Sequence, residues 1–103
     1  LMTGSQTYSS AVMIATRCHD NGLATLYGSP TGGKPSSYGE GVGFKLPNTG
    51  IRCTVSVKYF QRPDIQRDPS DSLYPDVNIH ISPEEYFSTT DTVWEKLLQD
   101  LKD

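Results

Sequence analysis

Several signatures are missing from this sequence of 103 residues, and each absence removes a class of protein. No apolar run of 18 or more residues is present, so the sequence predicts no membrane span. The nine lysines and arginines form no cluster and the formal net charge is −3, which excludes the usual electrostatic footprint of a nucleic-acid-binding protein. Two cysteines and two histidines lack the spacing of metal ligands. We therefore expect no cofactor and no nucleic-acid partner.

The two cysteines are predicted to be reduced thiols. Cys18 falls in a predicted helix and Cys53 in a predicted strand, each on an apolar face. A free cysteine in such a place packs as a small hydrophobic residue. Neither a disulfide nor the redox compartment follows from this pattern.

The first part of the chain predicts a strand, a helix and a second strand. Residues 1–3 have the pattern of a strand end whose start is missing, so we expect the chain to be a piece of a longer protein. A helix is predicted from Ser9 or Ser10 to Asp20, and Asn21-Gly22 would end it because both residue types tolerate the left-handed conformation. Helical spacing assigns a buried stripe, Ala11, Ile14, Ala15 and Cys18, and an exposed polar face, Thr16, Arg17, His19 and Asp20.

The rest of the chain predicts strands, loops and one more helix. Residues 23–27 predict a strand that is parallel to the first, because the short helical connection implies a right-handed crossover. The later predictions are a hairpin of strands at 43–46 and 51–59, the second half-buried, an exposed loop at 61–76 and a short strand at 77–81. A turn or a single helical turn is predicted at 83–87, and then a helix capped by Asp91 with one apolar face of Val93, Trp94, Leu97, Leu98 and Leu101. The predicted fold class is α/β.

Ser9 and Ser10 occupy a position where chemistry is expected. They follow the carboxyl end of the first predicted strand, where open α/β sheets bind ligands, and they start a helix. The N–H groups and the dipole at a helix start favour an alkoxide on serine and an oxyanion on a bound acyl group. Position alone favours the simpler interpretation that Ser9 is an N-cap. The sequence has no Gly-x-Ser-x-Gly elbow, so it does not support an α/β-hydrolase.

Lys34 lies in a second loop that leaves the carboxyl end of the neighbouring predicted strand. This glycine-rich loop, residues 28–35, can therefore approach the start of the Ser9 helix. It is no phosphate-binding loop, because Pro35 follows the lysine and no helix signal follows the glycines. A Ser/Lys dyad is one interpretation, which needs a desolvated, neutral lysine. The other is a solvated loop lysine.

The order and spacing of four strings resemble the catalytic region of the tail-specific, or carboxy-terminal processing, serine proteases. The resemblance covers about residues 1–81, and its strings are Thr7-Tyr8-Ser9-Ser10-Ala11, Ala24-Thr25-Leu26-Tyr27-Gly28-Ser29-Pro30-Thr31-Gly32-Gly33, Phe44-Lys45-Leu46-Pro47-Asn48-Thr49-Gly50 and Leu73-Tyr74-Pro75-Asp76-Val77.

The resemblance implies a fold, a reaction and roles for three residues. The family's nucleophile falls on Ser9, its Ser/Lys base falls 25 positions later on Lys34, and the amide after the nucleophile, that of Ser10, joins the oxyanion hole. It further implies that residues 1–103 are the C-terminal part of a catalytic domain with a spiral core like that of crotonase or Clp protease, in a mixed sheet with a crossover helix and a C-terminal helix. We accordingly expect a polypeptide substrate, an extracytoplasmic parent protein, and no activity from the isolated piece.

One departure from the family pattern leaves the base open. Ser/Lys members read Thr-Phe-Gly-Lys-Gly where this chain has residues 31–35 as Thr-Gly-Gly-Lys-Pro. Some relatives, similar to tricorn protease, use a Ser/His/Glu arrangement with the histidine far upstream, in which case Lys34 is a bystander. Other relatives bind ligands and have lost proteolysis, so a non-catalytic ligand- or peptide-binding role is the alternative from another class.

The remaining polar and aromatic residues are predicted to have ordinary roles. His19 and His80 are predicted to be surface residues, and His19 lies at the wrong end of its helix to reach Ser9. Three aspartates are interpreted as a solvated loop that could orient a base only if the fold returns it to the site, Asp64, Asp68 and Asp71. Tyr38 and Tyr59 could line a cleft, although simple packing explains them as well.

Overall fold

The computed structural model describes residues 1–67 and 71–103 of the chain and shows an elongated α/β protein that measures 61 × 35 × 19 Å. The predicted α/β class is confirmed. The elements in chain order are β1 (Met2–Thr3), α1 (Ser10–Asp20), β2 (Tyr27–Gly28), β3 (Ser37–Lys45), β4 (Arg52–Phe60), a 3₁₀ turn (Ile65–Arg67), β5 (Val77–Asn78), α2 (Pro83–Tyr86) and α3 (Thr92–Lys102).

Three short strands form a parallel sheet in the order β1-β2-β5. β1 and β2 are parallel and α1 connects them, as the strand–helix–strand pattern predicts. β2 is shorter than the predicted strand because the Leu26 N–H donates to the side chain of Asp76 (2.7 Å) and not to a neighbouring strand. The hairpin of β3 and β4 forms a second, separate sheet, so the prediction of one mixed sheet is wrong among the described residues.

The buried face of α1 differs from the predicted one. Val12 and Thr16 are buried, whereas Ile14 is 60% exposed. The prediction failed because polar residues of this helix have partners inside the fold: the Thr16 hydroxyl donates to the Val12 carbonyl (2.7 Å), and Asp20 pairs with Arg62. Of the four residues assigned to the buried stripe, one is fully buried, Ala15, while Cys18 is half-buried and Ala11 and Ile14 are exposed.

The β3–β4 hairpin is longer and more exposed than predicted. Alternation in β4 predicts one buried face, but most residues of both strands are open to solvent. The pairs Tyr38–Tyr59 and Val42–Val55 lie directly opposite each other across the strands. Cross-strand packing of aromatic and β-branched side chains stabilises such a pair of strands, and the tyrosine rings are 5.0 Å apart.

The described parts of the predicted loop, residues 61–67 and 71–76, are more ordered than their prolines and aspartates predict. They contain a 3₁₀ turn and two buried side chains, Arg62 and Leu73. Leu73 joins Val12, Ala15 and Leu26 in the core that packs between α1 and the parallel sheet. Burial of such an aliphatic side chain contributes roughly 1.5–3 kcal/mol. Residues 71–76, called the strap below, are therefore attached to the core through Leu73.

The C-terminal segment begins with two capped helices. Ser82 and Glu85 form a reciprocal capping box at α2, and the Asp91 carboxylate accepts from the Trp94 N–H (3.0 Å) at the start of α3, as predicted. Only part of the predicted apolar face of α3 is covered, because Val93 is buried while Trp94, Leu98 and Leu101 remain exposed. In the described part of the chain, no helix has both the length and the apolar character that crossing a bilayer requires.

Candidate functional site

Ser9 has an unusual backbone conformation. Its φ is 51° and its ψ is −124°, a combination that L-residues other than glycine rarely adopt. It precedes α1, but its side chain makes no capping hydrogen bond within the described residues. Ser9 is thus the N-cap of α1 by position, as the simpler interpretation expects, but it lacks the side-chain bond of an ordinary cap within the described residues. Such strain costs of order 1–3 kcal/mol and is concentrated at functional sites, where it directs a side chain away from its neighbours.

Ser10 is the first helical residue, so its N–H belongs to the amides that have no carbonyl partner within the helix. The next amides are used, since Ala11 donates to the Tyr8 carbonyl and Met13 to the Ser9 carbonyl (both 3.0 Å). The helix dipole adds partial positive charge at this end. Among the described residues no hydrogen bond of the Ser10 amide is found, and Ser10 lines the same cleft as Ser9.

The glycine-rich loop packs directly against the turn that precedes Ser9. The Gly33 N–H donates to the Thr7 carbonyl (3.0 Å), and a Cβ on Gly33 would lie 3.2 Å from the Tyr8 Cα. A Cβ on Gly32 would overlap the Tyr8 ring and the Ser5 carbonyl. The two glycines allow this close approach of backbone to backbone.

This packing brings Ser9 and Lys34 to one open cleft of about 570 Å³. The base of the hairpin closes the opposite side of the cleft with Tyr38 and Phe60, while α1 contributes Val12. Tyr38 therefore lines a cleft. The sequence had left open whether it would do so or would only pack against other residues. The structure brings together all three residues assigned to the candidate site, since Ser10 also lines this cleft.

Lys34 is paired with a carboxylate. Its Nζ lies 2.7 Å from Asp71 Oδ1, and the two side chains are 59% and 89% exposed. The hydrogen bond and the charge of Asp71 raise the pKa of Lys34, and the same hydrogen bond lowers the pKa of Asp71. A lysine acts as a base only in its neutral form. In the observed arrangement Lys34 is a cation, and the fold does return one of the three loop aspartates to the site.

Thr31 fastens the loop that carries Lys34. Its side chain is buried, with 2% of the residue exposed. The hydroxyl donates to the Gly33 carbonyl (2.7 Å) and accepts from the Leu73 N–H (2.9 Å), while the Thr31 N–H donates to the Leu73 carbonyl (3.0 Å). The role of Thr31 was not predicted, although a threonine directly before two glycines is a signal for a local side-chain-to-backbone bond.

A second cluster of charged groups lies at the other end of α1. Asp20 accepts two hydrogen bonds from Arg62 (2.9 and 2.6 Å) and one from the Asp64 N–H (3.0 Å). Burial raises the pKa of Asp20, but Arg62 and the Asp64 amide outweigh it and lower that pKa to about 2. These bonds attach the loop to the helix. Asp64 is thus partly structural, while Asp68 lies outside the described residues.

Neither histidine lines the cleft that contains Ser9. His19 is in the last turn of α1, about 15 Å from the helix start at 1.5 Å per residue. The prediction that His19 is a surface residue is wrong, because its ring contacts Asp20 and Asp76 and its side chain is only 15% exposed. His80 is exposed, as predicted.

The cysteines and acidic groups offer no alternative centre in the described part of the chain. Cys18 and Cys53 are both free, each half-buried. Among residues 1–67 and 71–103, no group of three or more histidines, cysteines and carboxylates is placed to hold a metal ion. Comparison of the chain with protein-family models, with curated proteins and with solved structures gives no match.

Proposed function

We propose that this chain carries the nucleophile of a serine-type peptidase, and that Ser9 is that nucleophile. The observation that carries the proposal is the backbone of Ser9, with φ 51° and ψ −124° at a helix start and a side chain that caps nothing. A serine that served only as a helix cap would have an extended backbone and a bonded hydroxyl. The strain at Ser9 is instead typical of a nucleophile held on a sharp turn.

The proposed reaction is hydrolysis of a peptide bond in a polypeptide substrate. The Ser9 oxygen attacks the carbonyl carbon, a base takes the hydroxyl proton, and the Ser10 N–H donates to the oxyanion. The base later returns the proton to the leaving amine, and water releases the acyl group from Ser9. The resemblance to the tail-specific proteases supports this reaction, together with a spiral core like that of crotonase or Clp protease around the observed strands.

Lys34 is the proposed base because it shares the cleft with Ser9 and stands 25 positions after it, as in the family's Ser/Lys members. It has to leave Asp71 first, since that ion pair raises the pKa of Lys34. Substrate that fills the open cleft would exclude water, and loss of solvation lowers the pKa of a lysine. The dyad is thus completed when the site is occupied.

The Lys34–Asp71 ion pair also favours a second candidate, a Ser/His/Glu peptidase whose histidine lies upstream of this chain. In that protein Ser9 and the Ser10 amide keep their roles, and Lys34 remains a cation beside the cleft. The non-catalytic, ligand-binding alternative does not explain the strained backbone of Ser9.

Hydrolysis of an unfolded protein tests the proposal. The full-length protein is incubated with denatured casein, and new amino termini are quantified. We expect Ser9→Ala to abolish turnover and the matched variant Ser5→Ala, in the preceding turn, to retain it. Equal turnover by Ser9→Ala and the unaltered protein would exclude Ser9. A folded protein that leaves several unfolded substrates intact would favour the non-catalytic alternative.

A further inference from the structure

We infer that Thr31 is a positioning residue of this site, and that its hydroxyl sets the distance between the Lys34 loop and the Ser9 turn. The inference rests on the proposed function, because it assigns Thr31 a role in the same reaction. Thr31 touches neither the proposed nucleophile nor the proposed base. It acts through its hydrogen bonds to the backbone of Gly33 and to the backbone of Leu73, which lies in the strap.

The Thr31 hydroxyl is fully used by two backbone groups. It gives its one proton to the Gly33 carbonyl (2.7 Å) and accepts the Leu73 N–H (2.9 Å) in a buried position. A hydroxyl between two buried backbone groups fixes both, because either group would otherwise be left without a partner. Gly33 is therefore bonded to Thr31 and, through the Thr31 hydroxyl, linked to the strap.

Gly33 connects Thr31 to the turn that precedes Ser9 through its own backbone hydrogen bonds. Its carbonyl is bound by Thr31, and its N–H donates to the Thr7 carbonyl (3.0 Å), two residues before Ser9. Lys34 follows Gly33 directly, and its partner Asp71 lies on the same strap, two residues before Leu73. These hydrogen bonds thus connect three segments: the turn before Ser9, the loop that carries Lys34, and the strap that carries Asp71.

Small displacements matter at such a site. A shift of about 1 Å between reacting groups slows a reaction up to roughly a hundredfold. Thr31→Val keeps the shape of the side chain and removes the hydroxyl, so the Gly33 carbonyl loses this bond and the Leu73 N–H loses its acceptor. Thr31→Ser keeps the hydroxyl and should restore the geometry.

The experiment measures the second-order rate of Ser9 phosphonylation by a fluorophosphonate in the full-length protein, corrected for the folded fraction at each pH from 5 to 10. The matched control is Thr16→Val, because Thr16 is equally buried and its hydroxyl bonds only to the Val12 carbonyl within α1. We expect Thr31→Val to react roughly 10- to 100-fold more slowly, with an altered pH profile. Thr31→Ser should react within about threefold of the unaltered protein, and Thr16→Val should be less stable but react at the normal rate.

The outcomes separate this inference from the proposed function. In one outcome, the unaltered protein reacts, Ser9→Ala does not, and folded Thr31→Val has an unchanged rate and pH profile. This outcome would overturn the role of Thr31 alone. Equal slowing in Thr31→Val and Thr16→Val would also overturn it, because the effect would then be one of general stability. No reaction at Ser9 in any variant would overturn the proposed function itself.

Discussion

Lys34 and Asp71 form an ion pair with 2.7 Å between Nζ and Oδ1, although 37 positions separate them in the chain. Of the two residues, Lys34 lines the cleft that contains Ser9. It keeps the lysine charged, which a proposed base cannot be when it accepts a proton. The chemistry of the site therefore depends on whether Lys34 leaves Asp71 when substrate binds.

Replacement of the lysine tests its role as the base. Lys34→Met keeps most of the side-chain volume and removes the amine. If Lys34 is the base, casein hydrolysis should fall roughly 10²- to 10⁴-fold, the usual contribution of general base catalysis. The exposed lysine of the hairpin offers a matched control, and Lys58→Met should retain activity. Undiminished hydrolysis by Lys34→Met would identify the base as a group upstream, as in the Ser/His/Glu candidate.

Replacement of the aspartate should change the pH dependence in a defined direction. Asp71 raises the pKa of Lys34, so Asp71→Asn should lower that pKa and increase the neutral fraction of Lys34 at any given pH. The rising limb of the rate against pH should consequently move to lower pH. Initial rates of casein hydrolysis from pH 6 to pH 10 measure this shift. A limb that stays in place, or moves to higher pH, would contradict a lysine base restrained by Asp71.

The ion pair of Asp20 and Arg62 should dominate the stability of the loop attachment. Both side chains are almost completely buried, so Asp20→Asn removes the charge that pairs with Arg62 inside the fold. Loss of one partner of a buried pair costs roughly 3–5 kcal/mol. Urea unfolding of the two proteins measures the difference. Glu40→Gln is the matched control, because its exposed pair with Lys58 should change the unfolding midpoint little.

The same pair predicts a window of acid sensitivity. The pKa of Asp20 is lowered from 3.8 to about 2 in the folded protein, so the stabilisation from its charge is present above pH 3.8. This stabilisation, about 2 kcal/mol by linkage, should be lost as the pH falls from about 4 to about 2. The difference in free energy of unfolding between the unaltered protein and Asp20→Asn should shrink across that interval. A constant difference would contradict the assignment.

The close approach of the two loops makes Gly32 intolerant of a side chain. Gly32→Ala places a Cβ against the Tyr8 ring and the Ser5 carbonyl, and the resulting overpacking should cost roughly 1–3 kcal/mol and displace the lysine loop. Gly43→Ala is the control, since a Cβ there meets only the Cys53 carbonyl at 3.9 Å. Casein hydrolysis should fall in Gly32→Ala and persist in Gly43→Ala. Normal activity and stability of Gly32→Ala would show that the loops do not approach so closely.

The elements that depend on local sequence could be predicted, and the contacts between distant residues could not. The start of α1 beside Ser9 and the Asp91 cap of α3 follow from nearby residues, as does a hairpin of two strands. The buried face of α1 was assigned wrongly because Asp20 is satisfied by Arg62, 42 positions away. Periodicity treats an aspartate as exposed, since its partner is invisible to a local pattern.

The candidate site shows the same division. The spacing of Ser9 and Lys34 could be read from the sequence together with the family resemblance, and both residues line one cleft. The positive φ of Ser9 could not be predicted, because a serine at a helix start ordinarily has an extended backbone. The ion pair of Asp71 with Lys34 also escaped prediction, since a loop broken by prolines carries no periodic signal.

The most direct test of Ser9 as the nucleophile is to locate a fluorophosphonate adduct by tandem mass spectrometry of the full-length protein. The account predicts one modified residue, Ser9, with loss of fluoride and a new bond from the serine oxygen to phosphorus. Acid-denatured protein should give no adduct, because reactivity requires the folded turn. An adduct on another serine, with Ser9 unmodified in folded and active protein, would contradict the account.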